Sequence, residues 1–138
     1  ARVGTGTGLR PGHARAAARL RQAVANEPFM AAGSDRFDTQ VMQALRERVY
    51  CKVGAEAVFC ASFPERGLGV AIKIDDGNTS RAAEVAMAAT IEAFVELDPD
   101  KASLLHRLSE ASLRNWNGIE VGTLRATDAL REGLARRA

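Results

Sequence analysis

The sequence predicts an α/β domain of the α+β kind, one antiparallel sheet with helices packed against it. Three observations lead there. Apolar runs at about 48–53, 57–63 and 67–74 have strand length and are rich in Val, Ile, Phe and Cys. The second and third are joined only by Pro64, Glu65, Arg66 and Gly67, too short for a parallel crossover, so those strands run antiparallel. On either side lie stretches whose apolar residues recur every three or four positions, the period of an amphipathic helix.

Residues 1–12 read as a glycine-rich loop ending in Pro11 and Gly12. A helix is expected over about 13–26, with Ala17, Leu20, Arg21 and Val24 at helical spacing and Pro28 to stop it. Gly33, Ser34 and Asp35 form a polar turn, and Val41, Met42 and Leu45 then share one face of a short helix near 39–47. After the three strands, Asp75, Asp76, Gly77 and Asn78 make a turn that launches a helix over about 80–97, where Val85, Ala88, Ile91 and Val95 form an apolar stripe. Asp98 followed by Pro99 is an N-cap with proline at the first helical position. That helix is expected to reach about residue 113, with Leu105, Leu108 and Ser112 on one face. A brief extended piece at 118–122 and a terminal helix at about 128–137 complete the order. No internal repeat is evident, and residues 1–138 read as a single segment. The chain opens on Ala1 and enters the glycine-rich run directly, which reads as a cut through a larger domain.

Composition narrows the function. Nineteen Lys and Arg against seventeen Asp and Glu leave a net charge of +2, and aromatics are only 5%. A nucleic-acid face needs concentrated basic charge and stacking aromatics, so no nucleic-acid partner is expected. No run approaches the roughly 18 apolar residues of a membrane span. Glycines stand where a signal peptide would need its apolar stretch. A cytoplasmic location without a membrane partner is expected. Cys51 and Cys60 match no zinc-knuckle spacing, and His13 and His106 add little, so neither metal nor cofactor is expected in this segment. Both thiols are expected to be reduced and unbridged.

Lys52 and Lys73 each stand inside an otherwise apolar strand. An ammonium there must reach water, pair with an anion or give up its proton, and the last makes a general base. The other reading is a solvated lysine on the open face of an edge strand. Gly54 removes a side chain beside Lys52 and lets a ligand approach the backbone. Cys60 reads either as a buried inert thiol or as a reactive one. Gly4-Thr5-Gly6-Thr7-Gly8 lacks the spacing of a phosphate loop and no strand precedes it, so it reads as a flexible or substrate-facing loop. Asp35, Asp38, Asp75 and Asp76 serve equally well as acids, ligands, or turn and cap residues.

Four segments carry a resemblance to a known family. They are Gly4-Thr5-Gly6-Thr7-Gly8-Leu9 ahead of Ala14-Arg15-Ala16-Ala17; the run from Ala32 through Asp35-Arg36-Phe37-Asp38-Thr39 to Met42; Cys51-Lys52-Val53-Gly54-Ala55-Glu56; and the long run from Phe63-Pro64-Glu65-Arg66 to Ile74-Asp75-Asp76-Gly77. Asn115-Trp116-Asn117-Gly118 adds to them. Together they resemble the C-terminal part of the L-asparaginase II family, the thermolabile rhizobial type, similar in fold to serine β-lactamases and glutaminases. The resemblance implies a protein about twice this length whose first half holds the serine nucleophiles, one in Ser-x-x-Lys, and most ligands of a zinc-type site. This chain has no Ser-x-x-Lys. By the same resemblance Lys73 matches a lysine paired with an active-site serine and is the catalytic group here. Lys52-Val53-Gly54 resembles the Lys-Thr-Gly strand signature of the superfamily, with valine in place of the hydroxyl residue. Cys60 corresponds to a cysteine near the site, so Lys52, Gly54 and Cys60 are implied to line it.

The implied function is hydrolysis of L-asparagine to L-aspartate and ammonia by a serine/lysine acyl-transfer mechanism. The chain alone is expected to be inactive, and the apolar face left exposed without its other half is expected to favour a homodimer. Zinc belongs to the full-length family member. A glutaminase or another serine hydrolase shares the implied fold. A non-catalytic binding or assembly module, with both lysines solvated, is the alternative from a different class.

Overall fold

The computed structural model describes residues 2–138, with the backbone alone for Val3. It is mixed α/β, with antiparallel strands and packed helices. In chain order the elements are α1 (Arg2–Thr5), α2 (Pro11–Asn26), α3 (Pro28–Ala32), α4 (Phe37–Leu45), β1 (Tyr50–Val53), β2 (Val58–Phe63), β3 (Leu68–Lys73), α5 (Ala82–Phe94), α6 (Pro99–Ser109), β4 (Glu110–Arg114), β5 (Glu120–Arg125) and α7 (Asp128–Ala135). The chain divides into two compact units, Ala1–Gly54 with Phe59–Ala71, and Ala55–Val58 with Ile72–Ala138.

In the first unit, proline starts helices as well as ending them. Pro11 opens α2 and Pro28 opens α3, at positions where the missing N–H has no intrahelical partner to lose. The expected stop at Pro28 is therefore also a start. Helix α2 buries Ala17 and Ala25, whereas Leu20, expected on the same face, is 66% exposed because it lies one step round the helix from that stripe. Residues 2–5, expected to be loop, form one helical turn seated on β2. A Cβ at Gly4 would fall 1.6 Å from Ser62 Oγ, so glycine is what permits the approach.

Helix α4 presents Val41, Met42 and Leu45 to the core as expected, each essentially inaccessible. Strands β1, β2 and β3 follow in that spatial order. β1 pairs antiparallel with β2, Cys51 opposite Ala61 and Lys52 opposite Cys60. Alternation along these strands turns Cys51, Phe59, Ala61 and Phe63 inward. The Phe59 ring meets Phe37 of α4 edge to face at 5.3 Å and 75°. Gly67, at φ +60°, closes the tight turn between β2 and β3 in the left-handed region that glycine occupies without strain.

In the second unit α5 is buried on most sides, as an apolar helix must be. It packs against α6, α7 and β5, and Val85 and Ala89 share a cluster with Ala126, Leu124, Leu130 and Leu134. The Asp98 side chain caps α6 by accepting the Lys101 N–H at 2.9 Å. α6 ends at Ser109 rather than near 113, and 110–114 become β4, which pairs with β5 from Glu110↔Arg125 to Arg114↔Glu120. Two things override the helical period there. Asn115 Oδ1 accepts the N–H groups of Asn117 and Ile119 at 3.0 Å, building a turn that reverses the chain. Arg114 and Glu120 then approach across the strands at 3.7 Å. Ser112, expected on one helical face with Leu105 and Leu108, is exposed in a strand. The described strands thus form two sheets instead of one. Fully buried Ser109 donates to Glu92 at 3.1 Å, and Arg131 of α7 reaches Glu92 and Glu110 at 3.2 and 3.4 Å.

Candidate functional site

The outward face of β1 and β2 carries Lys52 and Cys60, directly opposite each other in register. The Lys52 side chain is 43% exposed. Its Nζ donates to Val53 O at 2.9 Å and to Asp38 Oδ2 at 3.5 Å, so one of three ammonium donors remains. Asp38 has no exposed surface. It stands in the first turn of α4, where the helix N-terminus favours a carboxylate. Its Oδ2 also accepts the Val53 N–H at 2.9 Å, while Oδ1 is buried without a hydrogen-bond partner.

Asp38 is the functional candidate that the sequence did not single out from four aspartates. Asp35, Asp75 and Asp76 are exposed, and Asp76 merely accepts the Asn78 N–H in a turn at 2.9 Å. No local pattern marks Asp38, because its partners lie 14 and 15 residues further along the chain.

Cys60 is exposed, so the buried-thiol reading does not hold for it. Cys51 is the buried one. Burial foremost, and then the Asp38 charge, push the Cys51 thiol far above the usual range, against the pull of Lys52. Since Cys51 opposes Ala61 and Lys52 opposes Cys60, the two thiols point to opposite faces of the strand pair. That geometry excludes a bridge between them, and both are free. It also prevents them from sharing a zinc ion. Among the described residues no group of three His, Cys, Asp or Glu is placed to hold a metal.

Gly54 is exposed and follows the last residue of β1, leaving its backbone open. Lys73 ends β3 and belongs to the second unit. The dry strand expected around it is not found. Burial alternates along β3, with Val70 and Ile72 half-buried and Lys73 exposed. Its Nζ donates to Glu56 O and Ile74 O, both at 2.7 Å. Glu56 belongs to an unusual turn. Glu56 and Ala57 have φ of +53° and +54°, and the Val58 N–H donates to Ala55 O at 3.2 Å. Two successive left-handed residues are the mark of a type I′ turn, which ordinarily selects Asn and Gly. Glu and Ala adopt that backbone at a cost of about 1–2 kcal/mol each. The Lys73 ammonium and the Ile74 N–H, which donates to Ala57 O at 3.1 Å, pin two carbonyls of that turn.

The structure therefore gathers Lys52, Cys60, Gly54 and Asp38 in the first unit and bonds Lys73, at the end of β3, to a strained turn in the second. His13 and His106 are exposed on helices. Among the described residues no helix is long and apolar enough to cross a membrane. The model of one family, L-asparaginase II, matches residues 1–126. No curated protein matches the chain.

Proposed function

The chain belongs to the L-asparaginase II family, and from that premise we propose that it is the lysine-bearing part of an enzyme that converts L-asparagine and water to L-aspartate and ammonia. Family membership supports an asparaginase-type amidohydrolase acting on a small amide. The observation that carries the proposal is the extent of the match, which includes both lysine strands.

In the proposed reaction a serine hydroxyl, which no Ser-x-x-Lys in these residues supplies, adds to the side-chain amide carbon. Lys73, as the general base, takes its proton and passes it to the departing nitrogen, which leaves as ammonia. Water then cleaves the acyl-serine ester, yielding the aspartate side-chain carboxyl and restoring the hydroxyl. Within the first unit, the remaining ammonium donor of Lys52 suits recognition of a carboxylate beside the open backbone of Gly54, with Cys60 on the same face. Val53 has no hydroxyl, and its N–H is already given to Asp38, so that position supplies no donor.

One specific observation favours a second reading of Lys73. Its bond to Glu56 O in the strained turn, beside a second to Ile74 O, fits a structural pin. Lys73→Ala in the complete protein separates the two. A general base predicts a fall in kcat of about 10²–10⁴-fold with the melting temperature retained. Near-normal asparagine hydrolysis by the alanine variant would eliminate the general-base role, and a lowered melting temperature with normal turnover would establish the pin.

A further inference from the structure

Asp38 is a charge buried without full satisfaction. A carboxylate removed from water ordinarily has its oxygens paired, because an unpaired buried charge is among the costliest groups a fold contains. Here one oxygen takes both contacts and the other takes none. Both contacts go to one place, the Lys52 ammonium and the Val53 N–H, at the end of β1. An asparagine would give Val53 the same acceptor without the buried charge, so bonding Val53 alone does not account for an aspartate. What the charge adds is a hold on Lys52. That side chain is long, nearly half exposed and rotamer-rich, and without an anchor its ammonium would sweep a wide volume. Asp38 on one side and Val53 O on the other fix Nζ in place, leaving one donor free.

We propose that Asp38 is a positioning residue, which holds Lys52 and the Lys52-Val53-Gly54 segment in the geometry that receives the substrate carboxylate. The inference rests on the asparagine-hydrolase reading above. Asp38 touches no substrate and acts through Lys52. It therefore sets binding rather than the chemical step: its loss raises KM and leaves kcat in place. Because the carboxylate also offsets part of the Lys52 charge, the anchored lysine recognises a substrate carboxylate by position rather than by unscreened charge.

The test uses the complete enzyme and the variants Asp38→Asn, Lys52→Gln and the two combined. Asp38→Asn is expected to raise KM for L-asparagine about tenfold or more, the loss expected for a charge-assisted hydrogen bond, with kcat within about twofold. The double variant is expected to match Lys52→Gln alone, since Asp38 has nothing to position once the ammonium is gone. Additive KM effects, or an unchanged KM in Asp38→Asn, overturn the proposal. A second arm needs no turnover: labelling of Lys52 by an amine-selective ester, read by mass spectrometry, is expected to quicken several-fold in Asp38→Asn as Nζ is released. If the unaltered enzyme does not hydrolyse asparagine, the functional reading fails, and the labelling arm still decides whether Asp38 holds Lys52, an unchanged rate refuting it. If Asp38→Asn does not fold, as a melting curve would show, Asp38→Ser takes its place in every arm.

Discussion

Phe59 joins the fold of the first unit to its candidate site, and its removal makes a quantitative test. The ring is fully buried, stands opposite Val53 in register and meets Phe37 edge to face at 5.3 Å. Phe37 immediately precedes Asp38 on α4, so the ring pair docks that helix on β1 and β2 where Asp38 reaches Val53. Phe59→Ala removes a whole buried ring from a closed core and should cost about 3–5 kcal/mol. Against a total stability of about 5–15 kcal/mol, that leaves a marginal fold, so leucine is the better replacement for measurement. A double-mutant cycle of Phe37→Leu and Phe59→Leu should show a coupling of about 0.5–1.5 kcal/mol, the worth of an aromatic pair beyond its buried area. Urea unfolding followed by far-ultraviolet circular dichroism is the assay, since Trp116 is fully exposed and its fluorescence would report poorly on burial. Effects that add to within about 0.3 kcal/mol would refute the idea that the two rings bind α4 to the strands.

The remaining expectations concern the thiols and an acid limb of stability. Iodoacetamide should alkylate exposed Cys60 in the native protein at least about 100-fold faster than Cys51, which reacts only when the core opens; comparable rates in a peptide-mapping time course would contradict the placement of the two on opposite faces. Asp98 is held below its ordinary value of 3.8 by hydrogen bonds from the Lys101 side chain and then its N–H. With the folded value depressed, its contribution to α6 is complete above the ordinary titration and is lost as pH falls through the folded value. Amide exchange in the first turn of α6 should accelerate on acidification below pH 3.8 in the parent, and Asp98→Ala should remove that acid dependence; equal pH profiles for the two would refute it.

Much of the fold was legible because its signals are local. The three apolar runs appear as β1, β2 and β3 within a residue or two, since alternation and the short link after Phe63 are properties of neighbouring residues. The Asp98-Pro99 cap and the apolar faces of α4 and α5 are equally local. The β4–β5 pair was not legible. Residues 110–113 continue a helical spacing, and only pairing with partners nine to fifteen residues later makes the extended form the better one.

The sequence by itself determined the mixed architecture, the placement of two lysines within apolar strands, and the motifs that place the chain in its family. Tertiary structure decided which groups those lysines meet. It chose Asp38 over three other aspartates, sent Cys51 into the core and Cys60 to the open face, and gave Lys73 a carbonyl of a strained turn 17 residues earlier. The reason is one of range. Helical and strand periods are set by side chains a few positions apart, whereas a buried charge or an ammonium is satisfied by whatever the folded chain brings within about 3 Å.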